Sequence, residues 1–176
     1  MIETLISSKT RIKLLMKFFL NSQNTGYLRN LEEEFGESTN AIRLELNKFE
    51  KSGLLVSSNE GNKKIFRVNI SHHFFKDIQN MIMKVVGLDQ IIDYVIKRLG
   101  DVEKVYLVGK FAKGLESDII DLVFVGQIDK NYLLELVEKA ERKINKKVRY
   151  VIFSPQEFDI KIIKEDNTEP VLLWYK

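Results

Sequence analysis

Between Ser8 and Asn69 the apolar residues keep helical spacing three times over, and the pattern then changes to two short extended runs around a polar tip. That order leaves few folds open. In Ser8 to Leu20, Ile12, Leu15, Met16 and Phe19 recur at the three- and four-residue intervals that line one helix face, with Ser7 or Ser8 as N-cap. Asn21 to Gly26 is a polar break. Tyr27 to Phe35 gives a short helix with Leu28, Leu31 and Phe35 on one side, stopped by Gly36. A third helix follows in ESTNAIRLELNKFEKSG, capped by Ser38 or Thr39 and ended by Gly53. Leu54 to Ser57 and Lys64 to Asn69 read as strands, joined by the turn-forming residues Ser58 to Asn62.

Composition narrows the chemistry more than the fold. The chain has 176 residues, enough for one ordinary domain or two small ones, and its 44% apolar content supports a core. Cysteine is absent, which excludes disulfide frameworks, thiolate nucleophiles and Cys-based zinc sites. The only two histidines, His72 and His73, are adjacent, so a multi-histidine metal cluster is not expected. No cofactor is indicated. No apolar run reaches the roughly 20 residues needed to cross a bilayer, and the opening MIETLISSKTR lacks a signal-peptide pattern. The expectation is a cytoplasmic protein with no membrane partner. The net charge of +3 lies wholly in residues 1–70, with eleven Lys/Arg against eight Asp/Glu; residues 71–176 carry seventeen of each. A basic first part joined to a neutral second part fits a nucleic-acid module attached to something else, and equally fits ordinary solubilising charge.

The third helix carries the chemical argument. Ile42, Leu46 and Phe49 cluster on one side and pack inward, while Asn40, Arg43, Asn47 and Lys51 lie broadly opposite, with Leu44 among them. Such a face offers Arg for guanine or phosphate and Asn for adenine. An ordinary solvated face would look the same, and Glu45 and Glu50 on the flanks weaken its basic character. The segments SSKTRIKLLMKFF, YLRNLEEEFGESTNAIRLELNKFEKSGLL and KKIFRVN together resemble the bacterial ArsR-like winged helix-turn-helix family. The resemblance implies binding of double-stranded DNA by the third helix in the major groove, with a hairpin wing on the backbone. The DNA-binding residues so expected are Ser38, Thr39, Asn40, Arg43, Asn47, Lys51, Lys63 and Lys64. The Cys or His ligands of the metal sensors in that family are missing, so metal sensing does not carry over.

From Ser71 to Val86, Phe74, Phe75, Ile78, Ile82, Val85 and Val86 make a helix more apolar than one buried stripe requires, which predicts a homodimer. The order then alternates: a helix over Leu88 to Leu99, strands at Lys104 to Val108 and Ile119 to Val125, a helix over Asp129 to Asn145 and a strand at Val148 to Phe153. Within it, VYLVGKFAKGLESDIIDLVFVG resembles the minimal nucleotidyltransferase domain of the DNA polymerase β superfamily. The expected fold class is α+β, with a winged helix-turn-helix over residues 1–70, a linker or dimerisation helix over 71–86 and a small nucleotidyltransferase-like α/β domain over 87–176.

The superfamily's chemistry needs three carboxylates converging on divalent metal ions. Here the acids are Asp118 and Asp121, and residues three apart in a strand point to opposite faces; only a bulge at Ile119-Ile120 would realign them. The family's Ser after the strand-ending Gly is Lys110, and the strand expected to bring the third acid, KKVRYVIF, has Arg149 or Tyr150 there instead. These departures predict a protein that is not an enzyme, with no catalytic and no metal-binding residues. Its second domain would serve dimerisation, ligand sensing or partner binding, with Gly109, Lys110, Lys113, Asp118 and Asp121 as candidates for a nucleotide or phosphate ligand. The alternative is an active nucleotidyltransferase with an attached DNA-binding domain.

Overall fold

The computed structural model describes residues 6–165 and 168–176 as a mixed α+β chain with two sheets. It divides into two units: residues up to Ile82 together with Gly114–Glu116, and Met83–Lys113 with Ser117–Lys176.

In the first unit, α1 (Lys9–Phe19) starts where Ser8 accepts a hydrogen bond from the Arg11 N–H at 3.2 Å. Leu14, Leu15, Met16, Phe18 and Phe19 are all buried, so the helix is enclosed more fully than one stripe would allow. Lys17 is buried with them and keeps its charge compensated by Glu34 at 2.7 Å. A two-residue strand β1 (Thr25–Gly26) precedes α2 (Leu28–Phe35), which stops at Gly36 in the left-handed region. Helix α3 (Thr39–Lys51) begins at Ser38, whose hydroxyl accepts from the Ala41 N–H. Its Ile42, Leu46 and Phe49 are buried as the spacing predicts.

Strands β2 (Leu55–Glu60) and β3 (Lys63–Val68) pair antiparallel, and β1 adds to the other side of β3. The hairpin tip is tighter than the five polar residues suggest. Glu60 pairs with Lys63, leaving only Gly61 and Asn62 in the turn, and Gly61 takes φ +59°, which a two-residue hairpin asks of its first turn position. Helix α4 begins at Phe75 and runs to Val86 (Phe75–Val86), four residues later than the apolar pattern predicts. The preceding residues fold as turns, with His72 N–H on Asn69 O and Phe75 N–H on His72 O.

In the second unit, α5 runs over Leu88–Ile91, passes through a π-helical turn at Ile92–Ile96 and ends at Lys97–Leu99. Strand β4 (Val102–Val108) leads through the single turn α6 (Gly109–Ala112) to β5 (Ile119–Gly126). Helix α7 (Lys130–Ile144) crosses over to β6 (Lys147–Phe153), parallel to β5; the short α8 (Ile160–Ile163) and β7 (Val171–Tyr175) complete the unit. The sheet order is β6-β5-β4-β7, with β4 antiparallel to both neighbours. Asp129 caps α7 by accepting from the Asn131 and Tyr132 N–H groups, and Leu133, Leu136, Val137 and Ala140 are its buried face. Along β5, Ile120, Leu122 and Phe124 fill one face, while Val123 and Val125 pack with Tyr106, Phe153 and Phe158 on the other.

Candidate nucleic-acid interface and nucleotidyltransferase-like site

The first unit brings part of the expected DNA-binding set to one place. Thr39, Arg43, Asn47, Lys63 and Lys64 line a cavity of about 620 Å³ bounded by α2, α3 and the β2–β3 hairpin. Ser38, Asn40 and Lys51 are not part of it: Ser38 is occupied as a helix cap, and Asn40 and Lys51 are exposed elsewhere on α3. Arg43 and Asn47 are exposed and hold no side-chain partner among the described residues, which leaves their donors available. The two lysines differ. Lys64 Nζ lies 2.7 Å from Glu50 Oε2, whose carboxyl the Lys64 ammonium and the Ser57 hydroxyl hold below its usual range. Lys63 Nζ instead stands 4.5 Å over the Tyr27 ring.

The expected set leaves out the polar and charged lining residues Tyr27, Arg29, Glu32 and Asn62, the carboxylate of Glu32 standing on the same wall as the cations. Arg29 is the second residue of α2, and only the packing of that helix against α3 brings it to the same wall. Glu45 also differs from the flanking position expected of it. It is buried, and Arg11 grips it through two nitrogens at 2.8 and 3.1 Å, with Lys48 at 3.2 Å. The Arg11 hydrogen bonds hold its carboxyl below the ordinary range against the opposing effect of burial.

In the second unit the two aspartates have different surroundings. Pairing of β5 with β6 runs without a shift from Ile119 opposite Lys147 to Val125 opposite Phe153, so no bulge realigns Asp118 with Asp121. Asp121 stands at the end of β4, where Gly109 takes φ +66° and any Cβ there would collide with the Asp121 carboxylate. The register sets Arg149 directly beside Asp121, and their side chains form an ion pair at 2.5 Å. Asp118 lines a different cavity of about 560 Å³ with Glu138, Glu141, Arg142, Asn145, Lys146 and Lys147. Lys113 is held by Glu165 at 2.6 Å, and Lys110 is exposed. Among the described residues no three His, Asp or Glu side chains come together as a metal ion would require. The Arg149 guanidinium stands against Asp121, where a metal ion would need further acids, and Asp118 lines a separate cavity.

No family model and no curated protein matches the chain. Solved structures do resemble parts of it. Reduced HlyU from Vibrio cholerae shares 15% identity over 49% of this chain and 83% of its own, with a TM-score of 0.38. A tri-AMPylated Shewanella oneidensis HEPN toxin in complex with its MNT antitoxin gives 18% identity over 53% of this chain and 74% of the other, with a TM-score of 0.39. A Sulfolobus solfataricus protein assigned to the nucleotidyltransferases gives 23% over 56% and 86%, at 0.38. At these values no residue role is transferred to this chain. The expectation that the protein is not an enzyme is corrected by this comparison. A protein assigned to the nucleotidyltransferases and a toxin–antitoxin complex holding AMP-PNP stand among the neighbours, so the non-enzymatic expectation is withdrawn. The expectation rested on which carboxylates are missing, and a missing ligand in one layout does not exclude transfer chemistry built on others.

Proposed function

We propose that the protein is a nucleotidyltransferase-like protein whose first unit is a winged helix-turn-helix that binds double-stranded DNA and regulates transcription. The observation that carries this is the α3 face itself. Ile42, Leu46 and Phe49 are buried, and the opposite side holds Arg43 and Asn47 free beside Lys63 in one cavity. Arg and Asn on an exposed helix are the side chains that read guanine and adenine edges, and a lysine on an adjoining hairpin suits a phosphate. A second copy of the chain, meeting through the exposed Phe74 and Met81, would supply the second half-site reader. The test is selection from a random duplex pool followed by anisotropy titration. The expected result is a palindromic site and an Arg43→Ala variant about 1–3 kcal/mol weaker with relaxed base preference. Wild-type binding no stronger than that of an Arg43/Asn47 double alanine variant would refute the assignment.

One observation favours a second reading, nucleotidyl transfer steered by the DNA-binding unit. Gly109 lets the backbone at the end of β4 approach the Asp121 carboxylate, and Lys110 stands exposed next to it. Incubation with labelled nucleoside triphosphates, Mg²⁺ and candidate protein acceptors checks it. Label transfer that is lost in Asp121→Asn supports the reading.

A further inference from the structure

Four cationic side chains of the second unit converge on one cavity without an acidic partner among the described residues. On α7, Lys139 lies three and four residues before the adjacent Arg142 and Lys143, and Arg98 joins them from the end of α5. With Tyr94 and Leu136 they line a cavity of about 360 Å³. Lys143 Nζ lies 3.4 Å from the centre of the Tyr94 ring and Arg98 Cζ 5.2 Å from it. Tyr94 sits in the π-helical turn of α5, a departure from α geometry that recurs at functional sites.

Arg142 also borders the cavity that holds Glu138 and Glu141, yet none of the four cations forms an ion pair with an acid among the described residues. Glu141 takes Lys147 and the Val148 N–H, and Asp93 takes Lys97. Glu135 and Glu138 share α7 but do not line this cavity. Like charges three or four residues apart on a helix repel, and one tyrosine ring offsets only the two cations that stand over it. A ligand with several adjacent negative charges would relieve the repulsion. Arg98 and Arg142 offer planar forks that match phosphate oxygens, and Lys139 and Lys143 add point charges. The cavity volume lies at the low end of small-ligand sites, which suits a phosphate chain and not a duplex.

We propose that this α5–α7 cavity binds a ligand carrying adjacent phosphate groups, either a nucleoside polyphosphate or an inorganic polyphosphate, at a place apart from Gly109 and Asp121. Calorimetric titration of the full chain with tripolyphosphate, ATP and sulfate tests it, without added divalent metal. Tripolyphosphate and ATP bind and sulfate does not compete. An Arg98→Gln/Lys143→Gln variant weakens both about ten-fold or more, since each lost charge-assisted contact is worth that factor. Lys104→Gln, a solvent-facing lysine on β4, serves as charge control and keeps wild-type affinity. ATP binding tighter than tripolyphosphate by a margin that Tyr94→Leu removes assigns the ligand as a nucleotide; equal affinities assign the phosphate chain alone. Should the first double variant unfold by circular dichroism, Lys139→Gln/Arg142→Gln gives the same reading from the other pair. Unchanged affinity in a folded double variant overturns the proposal. So does binding that falls in Lys110→Ala instead, or a preference for a short single-stranded oligonucleotide over tripolyphosphate.

Discussion

Glu45 shows what a single residue owes to distant parts of the chain. Its side chain is 9% exposed, and the guanidinium that satisfies it comes from Arg11, 34 residues earlier. Helical periodicity assigns Glu45 to the flank of α3, and no local rule could place Arg11 against it. Lys17 is the same kind of case, buried because Glu34 of α2 meets it. Glu45→Gln keeps the shape but loses the charge, and is expected to cost the first unit about 1.5–3 kcal/mol in urea unfolding, the range for hydrogen bonds to charged groups. The pH dependence has a definite sign. A carboxyl whose folded pKa is depressed contributes stability above its unfolded pKa and loses it as pH falls through the folded value. The wild type should therefore lose stability on acidification below the ordinary carboxylate range more steeply than Glu45→Gln does. Parallel slopes for the two proteins would show that the pair contributes nothing.

At the scale of elements, the sequence was most informative where periodicity is long. The buried set of α3, the α7 stripe and the order of the strands around Gly109 all follow from spacing alone. Short-range detail was less legible. The hairpin tip closes two residues wide because Glu60 pairs with Lys63, an outcome of ladder registry that turn composition does not reveal. Strand period would separate Asp118 from Asp121, but β5 begins only at Ile119, so Asp118 precedes the strand and spacing alone does not place it. The hairpin lysines Lys63 and Lys64, equivalent in sequence, separate in the structure. Lys63→Ala should weaken DNA binding and reduce the salt slope by about one. Lys64→Ala should do less, because Glu50 already offsets that charge. Anisotropy titrations across a range of NaCl concentrations check both, and an equal loss in the two variants would contradict the distinction.

For the whole molecule, the sequence changes pattern near residue 70 and keeps its net charge in the part before it, whereas the two units divide between Ile82 and Met83, with Gly114–Glu116 grouped with the first. The apolar surplus of α4 was overstated by sequence. Ile82 and Val86 are buried and Phe75 stacks on Phe19 at 5.8 Å, so most of the predicted dimer surface belongs to the fold itself. Phe74 and Met81 remain exposed, with Ile70 close by in sequence. Sedimentation at tens of micromolar protein, roughly where a modest interface assembles, should show a dimer that Phe74→Asp/Met81→Asp returns to monomer. A wild type that sediments as a monomer at that concentration would remove the second copy from the DNA-binding proposal.

The ion pair of Asp121 and Arg149 has a consequence for folding fidelity. Strands β5 and β6 are parallel and meet only after the whole of α7 has been placed between them, so nothing local aligns them. A slip by one residue would exchange the two faces of β6, which lies at the sheet edge. Arg149 is 73% exposed, so its bond to Asp121 adds little energy. Yet it is satisfied in one alignment only, and it acts as a registration mark for an outer strand. Outer strands are the ones that chains exchange when their pairing is loosened. Loss of the mark would therefore surface as swapped or aggregated protein at high concentration before it surfaced as a lower melting temperature.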